Sequence, residues 1–471
     1  MKTFFELMRD STLAVIFHVA PRLANVLIFI LIGRLSGPEQ AGIFSLATTY
    51  LLIITAVMLG LDDLLIRQVA REPDRARDYF GNFLLLRIVL AMVVYVVFVL
   101  ILQNVLHYPV ATTVPIVILC LSVVPDSLGF VAQSVMLGHR RFGAPAVIIG
   151  ATNMLKMVVG AVVLLQGGGL IAVACLWLIG SVLAMIGLLS VALRQVGGLR
   201  RANWTNFAPL RTHWHAALSF CGITTLLTLD SQMDTVLLSI FRGEAEVGWY
   251  NAATTIAFSL LTLSQAYRFA IYPLMTRYAQ SAPDKMLGLF QKSLYYMAAL
   301  SMPMVAGIII LAPQIISLIF GPRFAPTISV LQILISSVLF FFMSEPCNRL
   351  MLASDRQTKL VVFLSISTSV NIIVNLILIP RIGANGAAFA RVCSSFVYFT
   401  LNYGYISRKM SSRVTLKSLI RPLMATVIMM YVISAMSQSM IVIVIGVGAA
   451  MYFLALWLLG GIPRRESVRT G

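Results

Sequence analysis

Residues 32–49 read IGRLSGPEQAGIFSLATT, and residues 238–255 read LSIFRGEAEVGWYNAATT. At an offset of 206 they share Gly37 with Gly243, Gly42 with Gly248, and the aromatic Phe44 with Tyr250. The runs Ala47-Thr48-Thr49 and Ala253-Thr254-Thr255 also align. Two more matches follow in the same order: MLGHRR from Met136 with MLASDR from Met351, and GGGLIAVA from Gly167 with GANGAAFA from Gly383. Apolar helices resemble one another by chance, but ordered agreement at turn residues marks an internal duplication.

Between these turns lie fourteen apolar stretches, most of them as long as a helix needs to cross a bilayer core of about 30 Å. With the N-terminus inside, cytoplasmic segments and the helix ends beside them carry 26 of the 35 Lys and Arg residues, and the opposite side carries four. That asymmetry fixes orientation, with both termini cytoplasmic. The expected fold is an all-α polytopic membrane protein of fourteen helices. Two parallel six-helix lobes occupy 1–193 and 213–407, with a cytoplasmic linker over 194–212 and two extra helices and a tail over 408–471. Parallel repeats of this kind suit carriers in which two bundles rock about a site.

A chain that is 59% hydrophobic and 11% charged is not an ordinary soluble protein. Its net charge of +18 is largely topological, so a nucleic-acid partner is not expected. Cys120, Cys175, Cys221, Cys347 and Cys393 all fall inside apolar spans and read as packing residues. The first span lacks a small-residue cleavage site and reads as a retained helix. The longest connection, 194–212, is too short for a catalytic domain, and no HExxH or nucleotide-hydrolysing motif occurs. The expectation is a transporter, with no covalent chemistry, cofactor or metal.

Ionisable residues at membrane depth cost roughly 2.5–3.5 kcal/mol each, so each needs a reason. His18, Arg22 and Asn25 share one face of the first helix, Lys156 follows Asn153 by three residues, and Arg268 lies in the eighth span. Arg391 heads a stripe with Ser395, Tyr398 and Asn402, while Asn371 and Asn375 stand one turn apart. These groups are expected to line a wet cavity, whereas Arg87 is expected to snorkel to headgroups and Asp62-Asp63 to form an interfacial turn. The acids at depth, Asp126, Asp230, Asp234 and Glu345, are candidates for coupling or ion-pair roles, and Asp126 after Pro125 and Glu345 before Pro346 each stand beside an expected kink. Asp230 and Asp234, one turn apart, suit a coupling-ion site for a proton or sodium and equally suit an ion pair. Several cations in a low-dielectric cavity attract anions, and a pyrophosphate linked to a sugar chain is such an anion. A cation-coupled multidrug extruder would want carboxylates to dominate. A membrane-embedded glycan polymerase or glycosyltransferase would want a large external loop.

The segment RLSGPEQAGIFSLATTY from Arg34, followed by LGLDDLLIRQVARE from Leu59, closely resembles bacterial polysaccharide-biosynthesis membrane proteins. These are the Wzx-type O-antigen and exopolysaccharide flippases of the multidrug/oligosaccharidyl-lipid/polysaccharide exporter superfamily. LIFGPRFAPT at 318–327 looks like the turn such proteins carry after their ninth helix. The resemblance spans the chain and implies alternating-access export of a polyprenyl-pyrophosphate-linked oligosaccharide from the bacterial inner membrane for lipopolysaccharide or exopolysaccharide assembly. It implies a monomer among membrane lipids, working beside a polysaccharide polymerase and chain-length machinery. It matches the family's cationic cavity to Arg22, Lys156, Arg268 and Arg391 by helix and depth. In the related lipid II flippase branch the extra helix pair borders a groove for the lipid tail, which implies the same role for the last two helices here.

Overall fold

A computed structural model describes residues 24–198, 208–409, 416–436 and 440–461. The described residues are helical throughout, with no strand. They divide into two compact units, ending and beginning at Gly248 and Trp249.

The first unit contains α1 (Ala24–Ser36), α2 (Pro38–Arg71), α3 (Ala76–Ile101), α4 (Val110–Cys120), α5 (Val123–Gly138), α6 (Gly143–Leu165), α7 (Leu170–Val196) and α8 (Ala208–Arg242), with the first turn of α9 (Glu244–Ser259). Its core joins Leu61, Leu65, Phe80, Phe83, Val135, Met136 and Leu188 from α2, α3, α5 and α7. The second unit continues through α10 (Leu261–Ser281), α11 (Pro283–Ile319), α12 (Thr327–Leu334), α13 (Ser336–Ala353), α14 (Gln357–Ile382), α15 (Ala384–Lys409), α16 (Ile420–Ala435) and α17 (Ile441–Leu458). One core cluster there joins α10, α11, α13 and α15 through Met275, Phe290, Cys347 and Phe399. A second seals α16 and α17 against α11 through Leu311, Met429, Ile433 and Tyr452.

Among the described residues, nine helical stretches are long and apolar enough to cross a membrane, and Ala24–Ser36 and Ile420–Ala435 are shorter apolar helices. The long helices α8 and α15 fall outside those nine because they carry polar side chains, among them Gln232, Asp234, Arg391 and Asn402. The helical runs 110–138, 244–281 and 327–353 are each interrupted, at 121–122, 260 and 335. For the first, the cause is Pro125: it has no N–H to give the Leu121 carbonyl four residues back. That carbonyl accepts instead from Val124 N at 3.2 Å, and the helix restarts as α5.

The duplication is written in the backbone. Gly37 and Gly243 take φ of 93° and 85°, and Gly167 and Gly383 take 82° and 57°. Arg140 and Asp355, at equivalent places in MLGHRR and MLASDR, both adopt left-handed φ, 58° and 55°. Each closes a helix C-terminus with the same bond pattern: Arg141 N to Met136 O at 2.9 Å, and Arg356 N to Met351 O at 2.9 Å. An L-residue is strained there, so Arg140→Gly should stabilise the protein by about 0.5–1 kcal/mol, read as a higher thermal midpoint in detergent.

The compact division falls after Gly248, since α8 packs antiparallel along α2. Thr49 Oγ1 donates to Gln232 Oε1 at 2.9 Å, and seven residues on Ala56 O accepts from Thr224 at 3.2 Å. At the head of this packing the two copies of the opening motif touch. A Cβ on Gly42 would stand 1.8 Å from the Glu244 carbonyl oxygen, and one on Gly248 would stand 2.0 Å from that of Pro38. The matched glycines therefore occupy the two sides of one backbone-to-backbone contact.

Candidate functional site

The polar residues within the spans gather into separate clusters. In the second unit α14 turns Ser367, Thr368, Asn371 and Asn375 inward and exposes Val362, Ile366, Ile373, Leu376 and Ile377 on its other face. The buried stripe meets α15 where Ser367 Oγ donates to the Ser394 carbonyl at 2.8 Å, while along α14 itself Asn375 Nδ2 donates to Asn371 Oδ1 at 3.0 Å. Arg391, 3% exposed, lies on the same face of α15 as Ser394 and Ser395. Tyr398 donates to Asn348 Oδ1 at 2.9 Å. Asn371 and Asn375, both 0% exposed, thus belong to a helix–helix seam, where the sequence suggested a water-facing wall.

Lys156 is also placed differently from the expected cavity wall. It is 8% exposed, inside the first unit, with its ammonium 3.1 Å from Ser181 Oγ and 5.4 Å from the Trp177 ring centre. Asp126 lies near enough to attract it electrostatically. The reason is Gly180 on α7: a Cβ there would come within 2.4 Å of Lys156 Cε, so its absence opens the slot that holds the stem. Asn153 is satisfied within its own helix, Nδ2 donating to Ile149 O at 2.8 Å, and Asn25 is exposed.

Of the remaining candidates, Glu345 pairs with Arg349 at 2.8 Å along α13, and Arg349 lies 5.7 Å from the Tyr272 ring centre. Asp234 is buried and Asp230 half-buried on α8, and each has an interaction partner. Arg268 belongs to α10, and its side chain lies outside the description. His18 and Arg22 lie outside the described residues.

One pair was misread from sequence. Arg87 does not snorkel: it is 0% exposed and bonds Asp62 between α3 and α2. Asp62 is therefore the partner of a buried cation, not part of an interfacial turn. Nothing in the local sequence signals this, because the partners are 25 residues apart.

Two cavities complete the picture. One of about 420 Å³ opens at the end of the first unit, where Tyr108 meets Ser239 at 2.6 Å and Tyr50 at 2.9 Å, with Thr112 donating to Glu244 at 2.7 Å beside it. The other, about 550 Å³ and almost wholly apolar, lies in the second unit among α11, α16 and α17. Its walls include Pro303, Gly307, Met429, Ala449 and Phe453.

Residues 31–329 match the family described as polysaccharide biosynthesis protein. The chain is 25% identical over 383 residues to the probable low-salt glycan biosynthesis flippase Agl15 of Haloferax volcanii, covering 80% of this chain and 78% of that one. Among solved structures it is similar to the lipid II flippase MurJ in an inward closed conformation, with a TM-score of 0.73 and 16% identity over 94% of this chain and 98% of that one. It is also similar to an inward-facing multidrug resistance MATE family transporter of the MOP superfamily, with a TM-score of 0.69 and 14% identity over 84% and 98% of the two chains. At such identities these likenesses establish the fold, one used for more than one cargo.

Proposed function

Because the chain belongs to the polysaccharide biosynthesis protein family, we propose that it flips a polyprenyl-pyrophosphate-linked oligosaccharide across the cytoplasmic membrane by alternating access. The observation that carries this reading is the family match over residues 31–329, which includes both copies of the duplicated opening motif. A relative named as a glycan biosynthesis flippase supports it. Multi-pass insertion follows from the nine apolar stretches among the described residues. In this reading Arg22, Arg268 and Arg391 attract the pyrophosphate, which Arg suits through its fork of donors. Lys156, expected as a fourth such cation, holds to Ser181 and the Trp177 ring in this arrangement. The apolar cavity bordered by α16 and α17 takes part of the prenyl tail, each buried methylene contributing about 0.8 kcal/mol.

The test uses purified protein in phospholipid vesicles loaded with polyprenyl-pyrophosphate-linked N-acetylglucosamine. A membrane-impermeant oxidant should destroy only the outer-leaflet sugar in empty vesicles and nearly all of it when the protein is present. Equal destruction in the two preparations would remove the flippase reading and leave a drug extruder of the same fold to be tested by dye efflux. Arg391→Gln should slow exposure of the probe about tenfold, the effect of one charge-assisted bond of roughly 1.5 kcal/mol.

Gly307 separates the tail from the head group. Nothing lies within 4 Å of a Cβ added there, and the residue borders the apolar cavity. Gly307→Leu should fill the cavity without strain, slowing a full-length polyprenyl probe while leaving one with a short prenyl chain unaffected. Equal rates for both probes in that variant would show that the tail does not use this space.

A further inference from the structure

The half-buried Asp126 and the buried Ser181 and Lys156 form a cluster whose geometry differs from a structural ion pair. A pair kept only for cohesion closes to direct contact, because contact is what offsets the desolvation of both ions. Among the described residues no ion pair within 4.0 Å joins Asp126 to Lys156, although Arg349 and Glu345 do close, to 2.8 Å. A hydroxyl stands beside both groups instead: Ser181 Oγ accepts from the ammonium at 3.1 Å and lies next to the Asp126 carboxyl. Trp177 and the Gly180 slot hold the lysine from α7.

The acid sits on a break. Asp126 is in the first turn of α5, immediately after Pro125 interrupts the span and leaves Leu121 and Ser122 between two helical segments. Ser122 Oγ is buried there, beside the Asp126 carboxyl. Among the described residues, the groups that perturb Asp126 are Lys156, Ser181 and Ser122, and no second charged side chain from α2, α4, α6 or α7 acts on it. Among the described residues, Asp126 is the charged side chain that acts on Lys156.

We propose that Asp126 is the proton-binding residue that couples translocation to a proton gradient, with Lys156 as its fixed counter-charge and Ser181 as a positioning residue. This rests on the flippase reading. The carboxylate takes one proton from water. Its attraction for the ammonium is then lost, and Lys156 is left buried with its charge unbalanced. Such a charge is expensive in a low-dielectric interior, so the protonated protein favours an arrangement in which α5 moves at its break and the lysine becomes hydrated. Loss of the proton on the other side restores the arrangement described here.

The experiment follows the same vesicle-borne probe, polyprenyl-pyrophosphate-linked N-acetylglucosamine, with and without a one-unit pH gradient. With one proton per cycle, a one-unit gradient should sustain about a tenfold leaflet imbalance of the probe. Asp126→Asn should still equilibrate the probe but hold no imbalance, Asp126→Glu should restore part of it, and Ser181→Ala should weaken it where Ser181→Thr does not. Thermal melting in detergent checks that each variant is folded. If Asp126→Asn misfolds, the Ser181 pair alone decides: equal imbalance in Ser181→Ala and Ser181→Thr overturns the proposal. A folded Asp126→Asn protein that keeps the tenfold imbalance overturns it too, as does a wild-type protein that moves the probe indifferently to the gradient. In both of those cases the flippase reading stands. A wild-type protein that moves no probe at all sinks the flippase reading itself.

Discussion

Gly42→Ala should nearly abolish transport and lower the stability of the first unit, although it adds a single methyl to a helix. The methyl carbon would stand 1.8 Å from the backbone oxygen of Glu244, whereas non-bonded carbons and oxygens pack at well over 3 Å. Backbone cannot rotate away as a flexible side chain can, so α2 and the first turn of α9 must separate by more than an ångström. Overpacking of this kind costs about 1–3 kcal/mol. Separation would also pull on the hydrogen bonds around it, Thr112 to Glu244 and Tyr108 to Ser239. Gly248→Ala should behave alike, because its Cβ would stand 2.0 Å from the Pro38 carbonyl oxygen. Gly404→Ala supplies the control: nothing lies within 4 Å of a Cβ there, and mid-helix alanine should instead stabilise by about 0.5–1 kcal/mol. Probe flipping and thermal melting of the three variants test this together. A Gly42→Ala protein indistinguishable from Gly404→Ala would mean that the two helix starts do not approach so closely.

That contact was half legible in the sequence. Gly42 and Gly248 stood out as matched positions, and matched glycines imply a backbone requirement, but not that the two copies would lie against each other. Turn geometry carried further, since the motif pairs predict equivalent corners and Arg140 and Asp355 share even their unusual φ. The direction in which each polar residue points was not legible in the sequence. Asn371 and Asn375 are rightly read as one face of a helix, but only the neighbouring α15 decides that this face meets serines and not water. Lys156 and Arg22 look alike as lone cations at depth. What buries Lys156 is a missing side chain at Gly180, on another helix. The break ahead of Asp126 was foreseeable as a kink from Pro125, but the serines that surround its carboxyl, Ser122 and Ser181, were not.

Arg87→Met should be the most destabilising single change in the first unit, and a second mutation should reverse it. Arg87 is wholly enclosed, and its bond to Asp62 is what balances the two charges. Removing the cation leaves a carboxylate in the C-terminal half of α2 with no counter-charge, a loss of about 3–5 kcal/mol for a buried pair. The pair itself is poorly satisfied, for Arg87 Nε and Nη1 and Asp62 Oδ2 make no hydrogen bonds among the described residues. Buried groups left unpaired carry a desolvation cost of about 1–3 kcal/mol each, so the intact pair contributes little net cohesion. The site is walled by apolar residues of the α2–α3–α5 core, which would accept aliphatic side chains. Asp62→Leu combined with Arg87→Met should therefore recover wild-type stability or exceed it, while Asp62→Leu alone, stranding the cation, should be as damaging as Arg87→Met alone. Thermal midpoints of the two single variants and the double variant form a complete cycle. A double variant no more stable than either single one would mean that the ion pair stabilises the unit in its own right. Flipping by a restored double variant would further separate the pair's structural part from any part in transport.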